Sequence, residues 1–332
     1  MNMSPFSRFK NLVCPVLVMW ASCLVLPASA AEPRLAVSKT PLSLPFFVAR
    51  DKGLFEKYKL KPVWVECMGG NRCMKEMLEG RVDMATSSEL PFMFAAFDGR
   101  PVSLVTTFVN NKDDMKFVVQ KSVVQKGIKN LIGKRIGFVE RSSSHYYMDL
   151  FLLYQGIDPK AVVQVPMNAD QLASALANQE VDAISVWEPW SHIALSLGGN
   201  AVRVLDAPRL YTQTFNLSVN NDYKQANLAK VGAMVEVLRD ANAFIQRNPE
   251  EAQRIMARDT GLSLEFVKLA WNTHMFELSL QQSLLSTLQG QARWAVQENH
   301  IKAGRPEPEF LNYIDSSFLR RVAPNAVDFV FP

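Results

Sequence analysis

Three serines and a histidine, residues 142–145, stand between two apolar runs of the chain. The first run, residues 136–139, is typical of a buried parallel strand, and the second, residues 146–154, of a helix that ends at Gly156. Hydroxyls and free backbone N–H groups at such a helix start favour an anionic group of a ligand. Helix capping by the serines explains the same pattern, and both interpretations are kept open.

Polar or glycine-rich turns follow other predicted strands in the same way. Gly69, Gly70 and Asn71 open one predicted helix, and Ser87 and Ser88 precede another. Glycine lets a backbone approach a ligand closely, and a helix start attracts an oxyanion. An ordinary glycine turn and a plain helix cap account for these residues equally well.

An aromatic residue and an acid, Trp187 and Glu188, end a further apolar run. Because an acid at the end of a buried strand needs a partner, Glu188 either binds an amino or cationic group of a ligand or pairs with a base such as Arg141. Trp187 is either a wall of the site or a core side chain. Glu188 is therefore the sharpest sequence indication of ligand charge.

Cysteine and histidine spacing suggests no metal centre. Cys67 and Cys73 form a C-x5-C pair with no second pair nearby, which favours a disulfide in an exported protein over a zinc site. The four histidines are His145, His192, His274 and His300. They show no i, i+4 pairing or acid spacing typical of metal ligands, so we expect no metal and no cofactor, with His145 facing the site or capping its helix.

The first thirty residues have the features of a secretory signal peptide. Arg8 and Lys10 form a basic start, residues 12–26 are mostly apolar, and Ala28-Ser29-Ala30 is a small-x-small cleavage site. We expect cleavage after Ala30 and a soluble, exported, monomeric protein, because no later stretch is long and apolar enough to span a bilayer.

The charge balance argues against a nucleic-acid partner. The chain has 36 basic and 32 acidic residues, and removal of Arg8 and Lys10 leaves a net charge of +2. No stripe of Lys and Arg stands out. The remaining chain of about 300 residues is long enough for two α/β lobes.

Short apolar runs alternate with longer helical ones, which predicts parallel sheets of βαβ units. The local sequence at Val82-Asp83 recurs at Val181-Asp182, which indicates two equivalent lobes unless the repeat arises by chance. Strands are predicted at residues 35–37, 62–66, 82–86, 102–107, 117–120, 135–139, 162–165, 181–186, 201–205 and 215–220. Helices are predicted at residues 45–58, 71–79, 90–97, 146–154, 229–246, 249–257, 264–270 and 280–298.

The helical last third is expected to pack back on the first lobe. The chain would then cross between lobes twice, near residues 117–120 and 215–220. The predicted division is a signal peptide at 1–30, a first lobe at 31–116 and 218–332, and a second lobe at 117–217.

Five motifs in this order resemble those of the periplasmic solute-binding proteins that serve ABC importers. Within that class the chain is similar to the family for nitrate, alkanesulfonates, taurine and thiamine-precursor pyrimidines. The matching segments are the "x-x-K-G-L-F-E" ending at residues 49–56, the helix–Gly–x–Val–Asp step at 77–85, "G-K-x-I-G" at 133–137, the serines at 142–145 and "W-[DE]-P" at 186–190.

The resemblance implies a type II periplasmic-binding-protein fold of class α/β, with two lobes joined by two crossover strands. It also implies a binding protein that is not an enzyme, which closes on a small solute and presents it to an ABC permease in the inner membrane. The predicted ligand-binding residues are Ser43, Leu44, Gly69, Gly70, Asn71, Ser87, Ser88, Glu89, Arg141, Ser142, Ser143, Ser144, His145, Trp187 and Glu188.

Serines and helix starts favour a sulfonate, whereas Glu188 requires a ligand amino group or a nearby base. We therefore expect an organic sulfonate or zwitterion, with an aminopyrimidine as the alternative. Two other classes are an exported solute sensor and an enzyme of the thiamine-pyrimidine synthase type. The enzyme fits least, because the chain lacks the cysteine-rich iron-binding motif of that enzyme and carries an export signal.

Overall fold

The computed structural model describes residue 1 and residues 32–207, 210–302 and 304–329. Apart from Met1, the predicted signal peptide at 1–30 lies outside the described residues. From Glu32 onward the chain forms one compact unit. Within the described ranges, none of the helices has the length and apolar character needed to cross a membrane.

Short runs of β-branched and apolar residues form eleven strands in the described chain. They are β1 (Arg34–Ser38), β2 (Val63–Cys67), β3 (Met84–Ser88), β4 (Val102–Asn111), β5 (Met115–Gln120), β6 (Arg135–Phe138), β7 (Val163–Pro166), β8 (Ala183–Trp187), β9 (Val202–Val204), β10 (Gln213–Asn220) and β11 (His274–Met275). All ten predicted strands are confirmed. The two-residue β11 was missed because it is too short to show a periodic pattern.

Thirteen α-helices fill the segments between and after the strands that the structure describes. They are α1 (Leu44–Asp51), α2 (Leu54–Lys57), α3 (Gly70–Leu78), α4 (Glu89–Phe97), α5 (Ser143–Tyr154), α6 (Ala169–Ala177), α7 (Trp190–Gly198), α8 (Asn221–Ala226), α9 (Leu228–Arg247), α10 (Pro249–Thr260), α11 (Leu264–Ala270), α12 (Gln282–Gln297) and α13 (Ser317–Val322).

The strands form two sheets with the same internal plan. The first sheet has the order β11-β4-β10-β3-β1-β2, and the second has the order β7-β6-β8-β5-β9. In each sheet three parallel strands, β2-β1-β3 or β7-β6-β8, are followed by an antiparallel strand, β10 or β5. We call the first sheet with its helices the first lobe and the second sheet with its helices the second lobe.

The repeated Val-Asp step marks equivalent positions in the two lobes. Asp83 accepts hydrogen bonds from the backbone N–H and the guanidinium of Arg34, at the start of β1. Asp182 accepts the same set from Arg135, at the start of β6. The sequence repeat therefore reflects one structural device that ties the third strand of each lobe to its first.

The sheets exchange strands slightly earlier in the chain than the predicted boundaries. Residues 115 and 116 already pair in the second sheet as part of β5, although they were assigned to the first lobe. Residues 213–217 pair in the first sheet as part of β10, although they were assigned to the second. The described residues that connect the lobes are thus 112–114, 205–207 and 210–212, because strand pairing and not the apolar run itself decides which lobe a segment joins.

The late helices pack on the first lobe, as predicted. Helix α9 packs against α1, and α12 packs against α4. Their apolar faces join one continuous core with the first sheet, while the second lobe has a separate core. Cys67 and Cys73 form the predicted disulfide between the end of β2 and the first turn of α3.

Removal of this disulfide should lower the free energy of unfolding by about 2 kcal/mol, because the bridge closes a short loop in the unfolded chain. The variant is Cys67→Ala with Cys73→Ala, and urea unfolding followed by circular dichroism measures the difference. A reducing agent should destabilise the wild type similarly and leave the double variant unaffected. Two alkylated thiols in unreduced wild-type protein would contradict the bridge.

Candidate functional site

The carboxyl ends of strands from both sheets border a cavity between the lobes, which we call the cleft cavity. Its volume is about 10 Å³, roughly the room of one water molecule, so a larger ligand would enter only with the lobes moved apart. The lining residues are Thr40, Leu42, Gly70, Asn71, Ser88, Asp114, Ser142, Ser143, Trp187, Gln213 and Phe215. They belong to both lobes and include Asp114 of the first connection. Gln213 and Phe215 lie in β10, which follows the second connection.

Two glycines allow close contacts beside this cavity, Gly69 between the lobes and Gly70 within the first lobe. A Cβ atom on Gly69, whose φ is +103°, would lie 2.8 Å from the indole ring of Trp187. A Cβ atom on Gly70 would lie 2.7 Å from the Cα atom of Ser87. Because both distances are far below van der Waals contact, only glycine fits, and the start of α3 can rest against Trp187 of the other lobe.

The lobes also touch through hydroxyl groups. The Oγ atoms of Ser88, at the end of β3, and Ser143, at the start of α5, are 3.0 Å apart. Together with the contact between Gly69 and Trp187, this hydrogen bond shows that the two lobes are closed on each other.

Five of the eleven lining residues carry buried polar atoms that find no hydrogen-bond partner among the described residues. These atoms are Thr40 Oγ1, Asn71 Oδ1, both carboxylate oxygens of Asp114, Trp187 Nε1 and Gln213 Oε1. Buried polar groups in folded proteins are nearly always hydrogen-bonded, so such a concentration of unpaired atoms is typical of a site completed by a ligand.

Burial of Asp114 costs more free energy than burial of the other unpaired groups, because Asp114 is ionisable. It lies in the first connection between the lobes and is 3% exposed. Burial raises the pKa of its carboxyl well above the ordinary value, and the charge of Glu188 adds to the shift. A cationic or N–H-bearing ligand group would relieve this cost. Sequence reasoning missed Asp114, although it sits near a predicted crossing that has to pass the cleft.

Six predicted site residues line the cleft cavity: Gly70, Asn71, Ser88, Ser142, Ser143 and Trp187. Ser142 also caps α5, since its Oγ accepts a hydrogen bond from the backbone N–H of Ser144 and donates one to the carbonyl of Val139. The predicted capping role of Ser142 is confirmed, and ligand binding by Ser142 stays a prediction.

The structure places several predicted residues outside the cavity lining. The Oγ of Ser144 donates to the carbonyl of Ser185 and so fastens α5 to β8. Arg141 pairs with Asp98 at 3.1 Å. Ser43, Leu44, Gly69 and Ser87 are buried beside the cavity and do not line it.

Glu89 is buried with its oxygens fully engaged. It accepts hydrogen bonds from the hydroxyl of Tyr211, from the backbone N–H and hydroxyl of Thr214, and from the side-chain amide of Gln291. It therefore joins α4 to the second connection and to α12, and the structure gives it a structural role.

Glu188 caps a helix in place of facing the cleft cavity. Its oxygens accept from the hydroxyl of Ser191 and, at 3.2 Å, from the backbone N–H of His192 at the start of α7. The suggestion that Glu188 pairs with Arg141 is wrong, because Arg141 binds Asp98. Glu188 borders a second cavity of about 180 Å³, and Asp114 also lines it.

His145 is buried against other rings and lies away from the cleft cavity. Its imidazole packs against Phe138, Trp294 and His300. Burial lowers the pKa of His145 to about 3, with a contribution from His300. The expectation that His145 faces the cleft is therefore wrong, since the helical turn rotates it from the side that Ser142 and Ser143 face.

Two lobes of this topology, closed on a polar cavity at their strand ends, define the periplasmic-binding-protein fold. An alkanesulfonate-binding protein SsuA from Xanthomonas axonopodis pv. citri, solved bound to MOPS, superposes with a TM-score of 0.73 at 20% identity. That alignment covers 86% of this chain and 100% of the other. The nitrate-binding protein NrtA from Synechocystis PCC 6803 gives a TM-score of 0.71 at 13% identity, with 89% of both chains covered.

The chain belongs to the NMT1/THI5-like family, whose model matches residues 40–252. This confirms the resemblance inferred from the motifs. A protein of Escherichia coli (strain K12) named for binding aliphatic sulfonates is 24% identical over 73% of this chain and 76% of its own. A Haemophilus influenzae protein named for thiamine biosynthesis is 23% identical over 68% of this chain and 72% of its own.

Gly70→Ala should lower the free energy of unfolding by about 1–3 kcal/mol, because the added methyl group would press on the backbone of Ser87. Gly290→Ala is the matched control: it lies within α12 with open space around it, and should stabilise by about 0.5–1 kcal/mol. Thermal unfolding monitored by circular dichroism measures both. Equal effects of the two substitutions would refute the close approach at Gly70.

Proposed function

We propose that this protein is the periplasmic solute-binding component of an ABC importer and captures a small organic solute between its lobes for delivery to an inner-membrane permease. The cleft cavity and its unpaired polar atoms carry the proposal. Membership of the NMT1/THI5-like family and the names of the relatives support it. The protein would act as a monomer, without a nucleic-acid partner.

The lining favours a solute that carries both a hydrogen-bond donor or positive charge and an oxyanion. Asp114 would accept from an amino group. The indole N–H of Trp187 and the hydroxyls of Ser88 and Ser143 would donate to a sulfonate or carboxylate. None of the described residues that line the cavity is Lys or Arg. A bare inorganic anion such as nitrate would therefore meet Asp114 without a compensating charge, and a taurine-like zwitterion fits better.

An aminopyrimidine is the second candidate. The rings of Trp187 and Phe215 border the cavity and would contact a flat heterocycle. A carboxylate such as Asp114 can pair with an amino group and an adjacent ring N–H together. The relative named for thiamine biosynthesis is consistent with this alternative.

A binding role is favoured over catalysis by the composition of the cavity. Ser88 and Ser143 hydrogen-bond to each other, and no histidine or cysteine of the described chain lines the cavity beside them. A serine nucleophile needs an adjacent base, which these residues do not supply. An exported sensor would use the same cavity, and contact with a permease would distinguish transport from sensing.

Asp114→Asn should weaken a zwitterionic or aminopyrimidine ligand by about 1–3 kcal/mol, because the ligand loses a charge-assisted hydrogen bond. It should also raise stability at neutral pH, since it removes a buried carboxyl without a partner. Calorimetric titration with taurine, an alkanesulfonate, MOPS, nitrate and an aminopyrimidine tests the affinity, and thermal unfolding tests the stability.

Asp113→Asn is the matched control for this experiment. The neighbouring Asp113 has a side chain that is 59% exposed and pairs with Lys116, so its substitution should change the affinity little. Absence of binding across the whole panel would count against a solute-binding role. Equal losses from both variants would remove Asp114 from the site.

Affinity for an amine-bearing solute should rise with pH. The pKa of Asp114 is raised in the solute-free protein, whereas an ammonium group binds the ionised carboxylate, so binding releases a proton below that raised pKa. Calorimetry in two buffers of different ionisation enthalpy measures the release. Asp114→Asn should abolish the proton release, and a release that persists in this variant would assign it to another group.

A further inference from the structure

Three metal-ligating side chains meet at a second place between the lobes, separate from the cleft cavity. His145 and Asp149 lie one turn apart on α5, and His300 follows α12. One potential ligand atom from each residue lies within 4.8 Å of the others. The group was not predicted from the sequence, because the histidines were taken to have no acid spacing typical of metal ligands, although Asp149 lies four residues after His145.

The ligand atoms of the group lack partners. His145 is 2% exposed and Asp149 is 1% exposed. Both ring nitrogens of His145, Oδ1 of Asp149 and Nε2 of His300 find no hydrogen-bond partner in the described part of the chain. Since unpaired buried polar atoms are costly, their convergence on one point indicates a missing central group.

The other carboxylate oxygen is already held in place. The indole N–H of Trp294 donates to Oδ2 of Asp149 at 2.9 Å, which leaves Oδ1 for another partner. The ring of Trp294 also packs against both histidines. A hydrogen bond that orients a ligating carboxylate is a recurring feature of metal sites in proteins.

We propose that His145, Asp149 and His300 bind one divalent transition-metal ion, which joins α5 of the second lobe to the end of α12 on the first. Two imidazoles and a carboxylate suit Zn²⁺ and similar ions, with water at an open position. Bonds of about 2.0–2.2 Å place tetrahedral ligand atoms about 3.4 Å apart, so side-chain rotations of roughly an ångström would complete the site.

The charge states of the three residues suit a cation. Burial lowers the pKa of both His145 and His300, so that the imidazoles are neutral and free to bind a metal. Burial also raises the pKa of Asp149 to about 6, with a contribution from Glu298.

The nearby bases are engaged elsewhere. Lys160 pairs with Glu298 at 3.2 Å, and Arg141 pairs with Asp98 at 3.1 Å. Neither ion pair supplies a positive charge to Asp149 at hydrogen-bond distance. Both pairs connect the lobes, as the metal would, and the ion would therefore favour the closed arrangement.

The first test is calorimetric titration of the solute-free protein, without an affinity tag, with ZnCl₂. One ion per chain should bind in the wild type. Asp149→Asn keeps an oxygen that accepts the hydrogen bond from Trp294. Its affinity for zinc should fall by more than the about 10–100-fold that follows loss of a residue that only orients a metal ligand. His300→Gln should do the same, while the control His192→Gln, a histidine outside the group, should bind as the wild type does.

Spectroscopy and scattering test the ligands and the connection between the lobes. Co²⁺ should give visible d–d absorption in the wild type that is lost in Asp149→Asn, and zinc should reduce the radius of gyration only where all three ligands are present. Folding of each variant is checked by thermal unfolding without metal. Absence of saturable zinc binding, or zinc affinity unchanged in both Asp149→Asn and His300→Gln, would overturn the metal site. Zinc binding that leaves the radius of gyration unchanged would overturn the proposal that the ion joins the lobes. None of these readouts requires a solute, so they succeed or fail independently of the proposed function.

Discussion

The burial of Asp114 without a hydrogen-bond donor is the constraint around which the cleft is arranged. With the lobes closed, this carboxylate is buried and finds no hydrogen-bond donor among the described residues. Burial of a carboxylate costs more than burial of any neutral group lining the cavity, so a ligand that supplies a donor there would favour the closed form. Closure of the lobes and recognition of the ligand are thereby linked. The buried carboxylate disfavours an empty closed cleft, and a suitable ligand removes this cost.

The fold was largely predictable because its signals are local. Apolar runs marked ten strands, and the Arg34–Asp83 and Arg135–Asp182 contacts explain why one short sequence recurs. The lobe boundaries shifted by a few residues because hydrogen-bond partners in the sheet, unlike apolar runs, are not visible in the sequence. β11 pairs with the end of β4, which is far away in the chain. No local sequence pattern predicts such a pairing.

The site was only partly predictable because neighbouring residues on a helix face different ways. Ser143 lines the cleft cavity, whereas the next residue, Ser144, bonds to β8. Glu188 satisfied the rule that a buried acid needs a partner, but its partners lie in the first turn of α7, the helix that directly follows it. The convergence of His145 with His300 depends on how α5 and α12 pack, and no local spacing encodes it.

The disulfide has a consequence for where the cleft takes its final shape. Cys67 and Cys73 enclose Gly69 and Gly70, the backbone that rests against Trp187. In an oxidising compartment the disulfide therefore holds this turn covalently. In a reducing compartment only strand pairing and helix contacts would hold it. The same chain would thus offer a looser surface before export than after it, and oxidation of two thiols would act as a maturation step for ligand capture.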